Sequence, residues 1–196
     1  MTFNKPDTKL EECIFIAEKI IPTDLCDAVV QNIETRPWNP HKWYNYQEEE
    51  RYSNKTMELD VQGTTPELHK ALSPFIIEAG RKYNQTYSYP YVGKKGQFMS
   101  QFSIIRFNRY GPGQIMRQHH DHIHSLFNGE RKGVPVLTFI LNFNDDYEGA
   151  DLFFWDDTIV KLGKGDICMF PSNFLFPHGV TEATKGKRYS AVGWGW

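Results

Sequence analysis

The chain has 196 residues, enough for one domain with a sizeable core that needs no cross-links. Its 22 Lys+Arg stand against 24 Asp+Glu, a formal charge of −2, without the basic stripe that a nucleic-acid partner would call for. Cys13, Cys26 and Cys168 are widely spaced and form no CxxC, the N-terminus carries no apolar signal core, and no apolar run could span a bilayer, so a cytoplasmic protein with free thiols is expected.

Cys13 to Ile16 is a short apolar run expected to be a strand. Pro22-Thr23-Asp24 opens a helix with Thr23 as its cap, and Leu25, Val29, Val30 and Ile33 carry its apolar stripe to about Thr35. Arg36 to Val61 has no clear period and reads as loop with short strands. Its Trp38, Trp43, Tyr44, Tyr46 and Tyr52 suit either a binding groove or the core of a helical layer. Thr65 caps a second helix with Pro66 in the first turn; Leu68, Leu72, Phe75, Ile76 and Ala79 line its buried side, and the pattern fades near Tyr83. Tyr87 to Gly96 is turn-rich.

Short strands are then expected at Phe102–Asn108, Gln114–Asp121, Val134–Phe143, Asp151–Trp155, Thr158–Lys161, Asp166–Phe170, Phe176–Val180 and Arg188–Trp194. Gly, Pro, Asn and Asp punctuate them. The fold class is mainly β with N-terminal helices, a sandwich or barrel with the helices packed on one sheet. Nothing in the pattern sets an oligomeric state.

The chemistry gathers at His119, Asp121 and His178. On an extended strand, residues two apart share a side, so His119 and Asp121 can grip one ion while His120 turns away. Two imidazoles and a carboxylate form the facial triad of a non-haem Fe(II) site, with positions left open for a co-substrate and O2. Ten residues beyond His178 stands Arg188, with Ser190 on the same side of the strand; a guanidinium and a hydroxyl suit the carboxylate of a dicarboxylate co-substrate. His119, His120, His122 and His124 also make a tract that could be a loose Zn or Ni site.

Tyr110-x-x-Gly113-Gln114, His119-x-Asp121, Glu148-Gly149-Ala150-Asp151, Gly163-Lys164-Gly165-Asp166, Phe170-Pro171-Ser172, His178-Gly179-Val180 and Gly186-Lys187-Arg188-Tyr189-Ser190 follow in order. Together they resemble the prolyl 4-hydroxylase-type branch of the Fe(II)/2-oxoglutarate dioxygenases. Asn108-Arg109-Tyr110 resembles the related bacterial hydroxylases. The resemblance runs from Phe102 to Trp196, with a weaker echo at Asp24–Glu34.

The resemblance implies a double-stranded β-helix (jelly-roll or cupin-like) within one domain. Residues 1–98 would be a helical support layer with substrate-side loops, and residues 99–196 the catalytic core. It implies His119, Asp121 and His178 as iron ligands, and Arg188, Tyr110 and Ser190 as partners of 2-oxoglutarate. Trp194, Met116 and Arg131 are the substrate-side candidates. The implied reaction hydroxylates a substrate, foremost a peptidyl proline, while 2-oxoglutarate and O2 yield succinate and CO2; ascorbate is an accessory cofactor of such enzymes. Met116 stands where plant-type members have a tyrosine, and Ala150 and Asp151 replace a glycine and a glutamate; these departures bear on the substrate. His122–Lys132 and Trp38–Tyr52 are the lid candidates.

Two other readings stay open at this point. The chain could be a β-helix module that senses metal or dicarboxylate without turnover. It could be a zinc hydrolase on the histidine tract, with Glu130 or Asp145 as base, although it has no HExxH.

Overall fold

The computed structural model describes residues 9–45, 50–52, 57–87, 99–121 and 135–196. A 3-10 turn at Leu10–Cys13 leads into β1 (Phe15–Ala17) and then α1 (Thr23–Glu34). Next come β2 (Asn39–Pro40), β3 (Trp43–Asn45), β4 (Glu50–Tyr52), β5 (Asp60–Gly63) and α2 (Pro66–Tyr87). The C-terminal half carries β6 (Arg106–Tyr110), β7 (Met116–His119), β8 (Leu137–Asn142), β9 (Glu148–Gly149), β10 (Leu152–Phe154) and β11 (Thr158–Val160). It ends with β12 (Ile167–Pro171), β13 (His178–Val180), β14 (Ala183–Lys185) and β15 (Arg188–Gly195).

Both helices lie where apolar spacing put them. Cys26, Val29 and Ile33 bury one side of α1; Leu72, Ile76, Ala79 and Tyr83 bury one side of α2. The caps differ from each other. Thr65 Oγ1 accepts the Leu68 N–H at 3.3 Å, as a helix cap does. Thr23 is not a cap: it is the first helical residue, and Pro22 precedes it without any side-chain bond. Proline's fixed φ already sets the entry, and its carbonyl accepts the Cys26 N–H at 3.0 Å. Helix α2 also runs on from Tyr83 to Tyr87. Both tyrosine rings meet Phe15 edge-on and their hydroxyls donate to the Cys13 and Glu12 carbonyls, so β1 and the turn before it support the last turn.

Among the described residues, the strands form a seven-stranded sheet, β1-β12-β8-β15-β6-β5-β2, and a four-stranded sheet, β11-β10-β13-β7, facing it as a double-stranded β-helix. The edge strand β2 and its neighbour β5 come from the stretch expected as loop with short strands, β5 running just past its end. The large sheet is buried on both faces, which is why β8 reads as a nearly unbroken apolar run. Leu137, Phe139 and Leu141 pack outward with Phe107, Ile167, Met169 and Ala191 under the helices. Ile140 packs inward with Cys168, Phe170 and Val192 against Leu152, Phe154 and Val180 of the small sheet. The site lies in that inner layer.

Candidate metal and co-substrate site

Strands β7 and β13 pair antiparallel with His119 directly opposite His178. Cross-strand partners share a face, so the two imidazoles meet, with ring centroids 4.5 Å apart. Gly179 keeps this approach possible: a Cβ there would stand 2.6 Å from the Met116 carbonyl oxygen. Asp121 follows just past the end of β7. Its Oδ1 lies 3.8 Å from His119 Nε2 and its Oδ2 lies 3.9 Å from His178 Nε2. One ligand atom from each residue falls within 4.8 Å of the others, a cluster one ion can bridge.

The protonation pattern suits a metal. His119 Nδ1 donates to the Arg117 carbonyl at 2.9 Å, and His178 Nδ1 donates to the Phe176 carbonyl at 3.0 Å. A carbonyl only accepts, so each Nδ1 carries the proton and each Nε2 presents a lone pair to the cluster. Burial, with the neighbouring His178, pushes the His119 pKa down to about 4, so that ring is neutral at neutral pH. Burial opposes ionisation of Asp121, but His178, His119 and the Thr138 hydroxyl outweigh it and hold its pKa below the ordinary value. Two imidazoles and one carboxylate are the donor set of a 2-His-1-carboxylate centre.

Thr138 of β8 supplies the outer support. Its Oγ1 donates to Asp121 Oδ2, and Ser172 Oγ lies 3.0 Å from the same hydroxyl. Thr138 is fully buried, so no water stands in for that donor. Thr138→Val is expected to keep the fold and to weaken metal binding by about 10–100-fold, the usual cost of losing such an outer partner. Calorimetric titration with Mn(II) measures it, and wild-type affinity would disprove the role.

Arg188 lies across the same cavity. Its side chain is 1% exposed. Its Nε donates to Asn142 Oδ1 at 2.9 Å, and one terminal nitrogen donates to the Ala150 carbonyl at 2.8 Å. Among the described residues no carboxylate pairs with it. Asn142 is itself held, its amide donating to the Asn144, Leu162 and Gly163 carbonyls. Tyr110 is the cross-strand partner of Arg188, with the guanidinium carbon 5.7 Å from its ring centre. Burial raises the Tyr110 pKa, keeping the phenol protonated. Ser190 follows two residues on, opposite Asn108, on the same inward face. A buried, braced guanidinium beside a phenol and a hydroxyl has the chemistry to receive a carboxylate.

The other expected residues separate. Met116 and Trp194 line the cavity, and Trp194 Nε1 is buried near Asp121 without a regular hydrogen bond. Arg131 and the 122–132 loop lie outside the described residues. His120 is exposed, and Asp145 lines a different groove, with Asp27 and Lys164, so among the described residues the zinc-hydrolase layout finds no base at the cluster. Ala150, a departure expected to bear on the substrate, gives its backbone carbonyl to Arg188, with φ at +50°.

The aromatic stretch splits in two. Trp38 packs on the helical side, 4.7 Å under the Arg109 guanidinium. Trp43 meets His119 edge-on at 5.4 Å and His41 at 4.9 Å. The side chains of Tyr44, Tyr46 and Tyr52 lie outside the described residues. His41 was not singled out from the sequence, because no local pattern links it to His119. Thr138, Asn142 and Arg106 were missed too. Thr138 and Asn142 did leave a signal, as polar residues inside an apolar strand.

Burial pushes the His41 pKa down to about 3, and Arg106, His119 and Arg117 push the same way. The unfolded chain binds that proton near pH 6.5. The folded state therefore binds fewer protons, and the stability linked to His41 is present above pH 6.5 and lost as pH falls toward 3. His41→Gln is expected to flatten urea stability over that window; an unchanged pH slope would contradict it.

The comparisons with known proteins fit this geometry. Residues 105–196 match the family model described as the 2OG-Fe(II) oxygenase superfamily. A PKHD-type hydroxylase of Idiomarina loihiensis is 37% identical over 97 residues, 48% of this chain and 42% of that protein. Prolyl 4-hydroxylase 1 of Arabidopsis thaliana is 32% identical over 112 residues, 46% of this chain and 40% of that protein. The matched segment thus spans well under half of these relatives. Among solved structures, a Pseudomonas putida prolyl-4-hydroxylase superposes with a TM-score of 0.64 at 20% identity, covering 93% of this chain and 91% of that one. A Trichoplax adhaerens prolyl hydroxylase, in complex with a hypoxia inducible factor peptide fragment, gives 0.65 at 13% identity, covering 94% and 83%. At these identities the structural likeness is one of fold, and it agrees with the two facing sheets described above.

Proposed function

We propose that this chain is an Fe(II)- and 2-oxoglutarate-dependent hydroxylase acting on a proline-containing peptide. The observation that carries the reading is Arg188, a buried guanidinium with no carboxylate partner among the described residues, in the same cavity as the His119–Asp121–His178 cluster. In this proposal those three residues hold iron, while Arg188, Tyr110 and Ser190 hold the far carboxylate of 2-oxoglutarate. Bound iron would supply the oxidation: one oxygen atom of O2 enters a substrate C–H bond, and the other leaves in succinate as 2-oxoglutarate loses CO2.

The chain's own residues do the positioning. The Nδ1–H bonds of both histidines hold the rings at fixed tautomer and angle. Arg188 would hold the far carboxylate of the co-substrate in the cavity that the cluster also lines. Ile140, Leu152, Val180 and Val192 keep the cavity walls apolar and limit water. Trp194 and Met116 stand on the substrate side. The prolyl assignment is supported by the hydroxylases named above, one of them solved with a peptide. Ascorbate, as a reductant of the iron, and a cytoplasmic location, consistent with the free thiols of Cys13, Cys26 and Cys168, belong to the same proposal.

The test is succinate formation from 2-oxoglutarate by protein loaded with Fe(II) without oxygen and then exposed to O2, with and without proline-rich peptides. Turnover stimulated by peptide supports the reading. Tight binding of metal and 2-oxoglutarate with no turnover under any peptide would favour a sensor. No 2-oxoglutarate binding would overturn the assignment of Arg188.

A further inference from the structure

Arg106 places a second guanidinium in the cavity, and the reading above makes no use of it. Strand β6 turns Arg106, Asn108 and Tyr110 to the same inward face, and all three line the cavity with the cluster. Pairing with β15 sets Tyr110 opposite Arg188 and Arg106 opposite Val192. The two arginines therefore attach four residues apart on one ladder, roughly 14 Å at about 3.4 Å per residue. Arg188 marks one end, and Arg106 sits toward the Trp194 end. Arg106 Nε donates to the buried Asn108 Oδ1 at 3.2 Å, which steadies its side chain. Among the described residues no carboxylate pairs with it. The cavity's acid, Asp121, already faces two imidazoles and the Thr138 hydroxyl.

Charge decides what Arg106 awaits. A ferrous ion, the Asp121 carboxylate, doubly charged 2-oxoglutarate and Arg188 sum to zero. Arg106 then adds one positive charge in a cavity with apolar walls, and such a charge is costly unless paired. A neutral peptide segment leaves it unpaired. We propose that Arg106 binds a carboxylate of the substrate itself, close to the carbon that is hydroxylated. The substrate class narrows to proline compounds with a nearby carboxylate, either the α-carboxylate of a terminal or free amino acid or an adjacent acidic side chain. The inference rests on the co-substrate reading of Arg188, and its test separates the two.

The experiment is calorimetric binding to protein loaded with Mn(II) and saturating 2-oxoglutarate, which occupies Arg188 without turnover. The probes are N-acetylproline, N-acetylprolinamide and the amide of acetyl-prolyl-aspartate. At least one acid is expected to bind about tenfold or more tighter than N-acetylprolinamide, the scale of a charged hydrogen bond. Which acid does so identifies the source of the carboxylate. Arg106→Gln is expected to abolish that preference, and Arg106→Lys to restore part of it. Arg106 and Tyr110 share Asn108 as a partner, so the 2-oxoglutarate affinity of Arg106→Gln is expected to fall by only a few-fold, well short of the tenfold loss of a direct ligand, which also shows that the variant is folded. Equal binding of acids and amide, no binding of either acid, or a preference surviving Arg106→Gln overturns the inference. So does a tenfold loss of 2-oxoglutarate affinity in Arg106→Gln, which would assign Arg106 to the co-substrate. Failure of wild-type protein to bind 2-oxoglutarate would instead sink the function proposed above.

Discussion

Arg188→Ala is expected to weaken 2-oxoglutarate binding by about 2–5 kcal/mol while leaving Mn(II) binding near wild type. That range is the cost of truncating one member of a buried, hydrogen-bonded charge pair. The guanidinium is braced by Asn142 Oδ1 and the Ala150 carbonyl, so it meets a ligand with little freedom left to lose. Lysine cannot substitute: it lacks the fork that satisfies both braces and a carboxylate together. Arg188→Lys should therefore recover only part of the affinity. Truncation also leaves Asn142 Oδ1 short of its donor, so thermal unfolding must be followed alongside binding. The pair of titrations is decisive. Unchanged 2-oxoglutarate affinity in a folded variant would remove Arg188 from the co-substrate site.

His178→Ala should abolish measurable metal binding and, with it, 2-oxoglutarate-dependent succinate formation. Losing an outer-shell partner costs about 10–100-fold in metal affinity, and losing one of three ligands should cost more. His178 is also packed, its ring centre 4.7 Å from that of Phe170 and 5.8 Å from that of Phe154. Alanine would open a gap there and lower stability for a reason unrelated to the metal. His178→Gln keeps more of the volume and serves as the control. If both variants fold and neither binds metal, the ligand role stands. If either binds Mn(II) as the wild type does, the cluster is not the metal site.

Much of the site was legible because its local part follows a period of two. His119 and Asp121 are two apart around β7. Arg188, Ser190 and Trp194 fall on one face of β15. The same rule places Arg106 with Tyr110 on β6, although only a known partner draws attention to it. Helix α2 was legible from its cap and stripe. Helix α1 was placed correctly with the wrong cap, since Pro22 preset the entry that Thr23 was expected to secure. The short pairs β14–β9 and β3–β4 were not legible, because two or three residues carry no readable alternation.

Residue type, spacing and the family resemblance carried in the sequence pointed to the fold class, the candidate triad and the candidate carboxylate anchor; only the His119–Asp121 and Arg188–Ser190 pairs came from short-range spacing. Only the tertiary structure decided that His178 stands opposite His119, that Thr138 braces Asp121, that Trp43 and His41 pack beside the cluster, and that a second arginine shares its cavity. These are matters of register between strands far apart in the chain. Register is set by what both faces of a sheet must bury at once, and no local pattern contains that information.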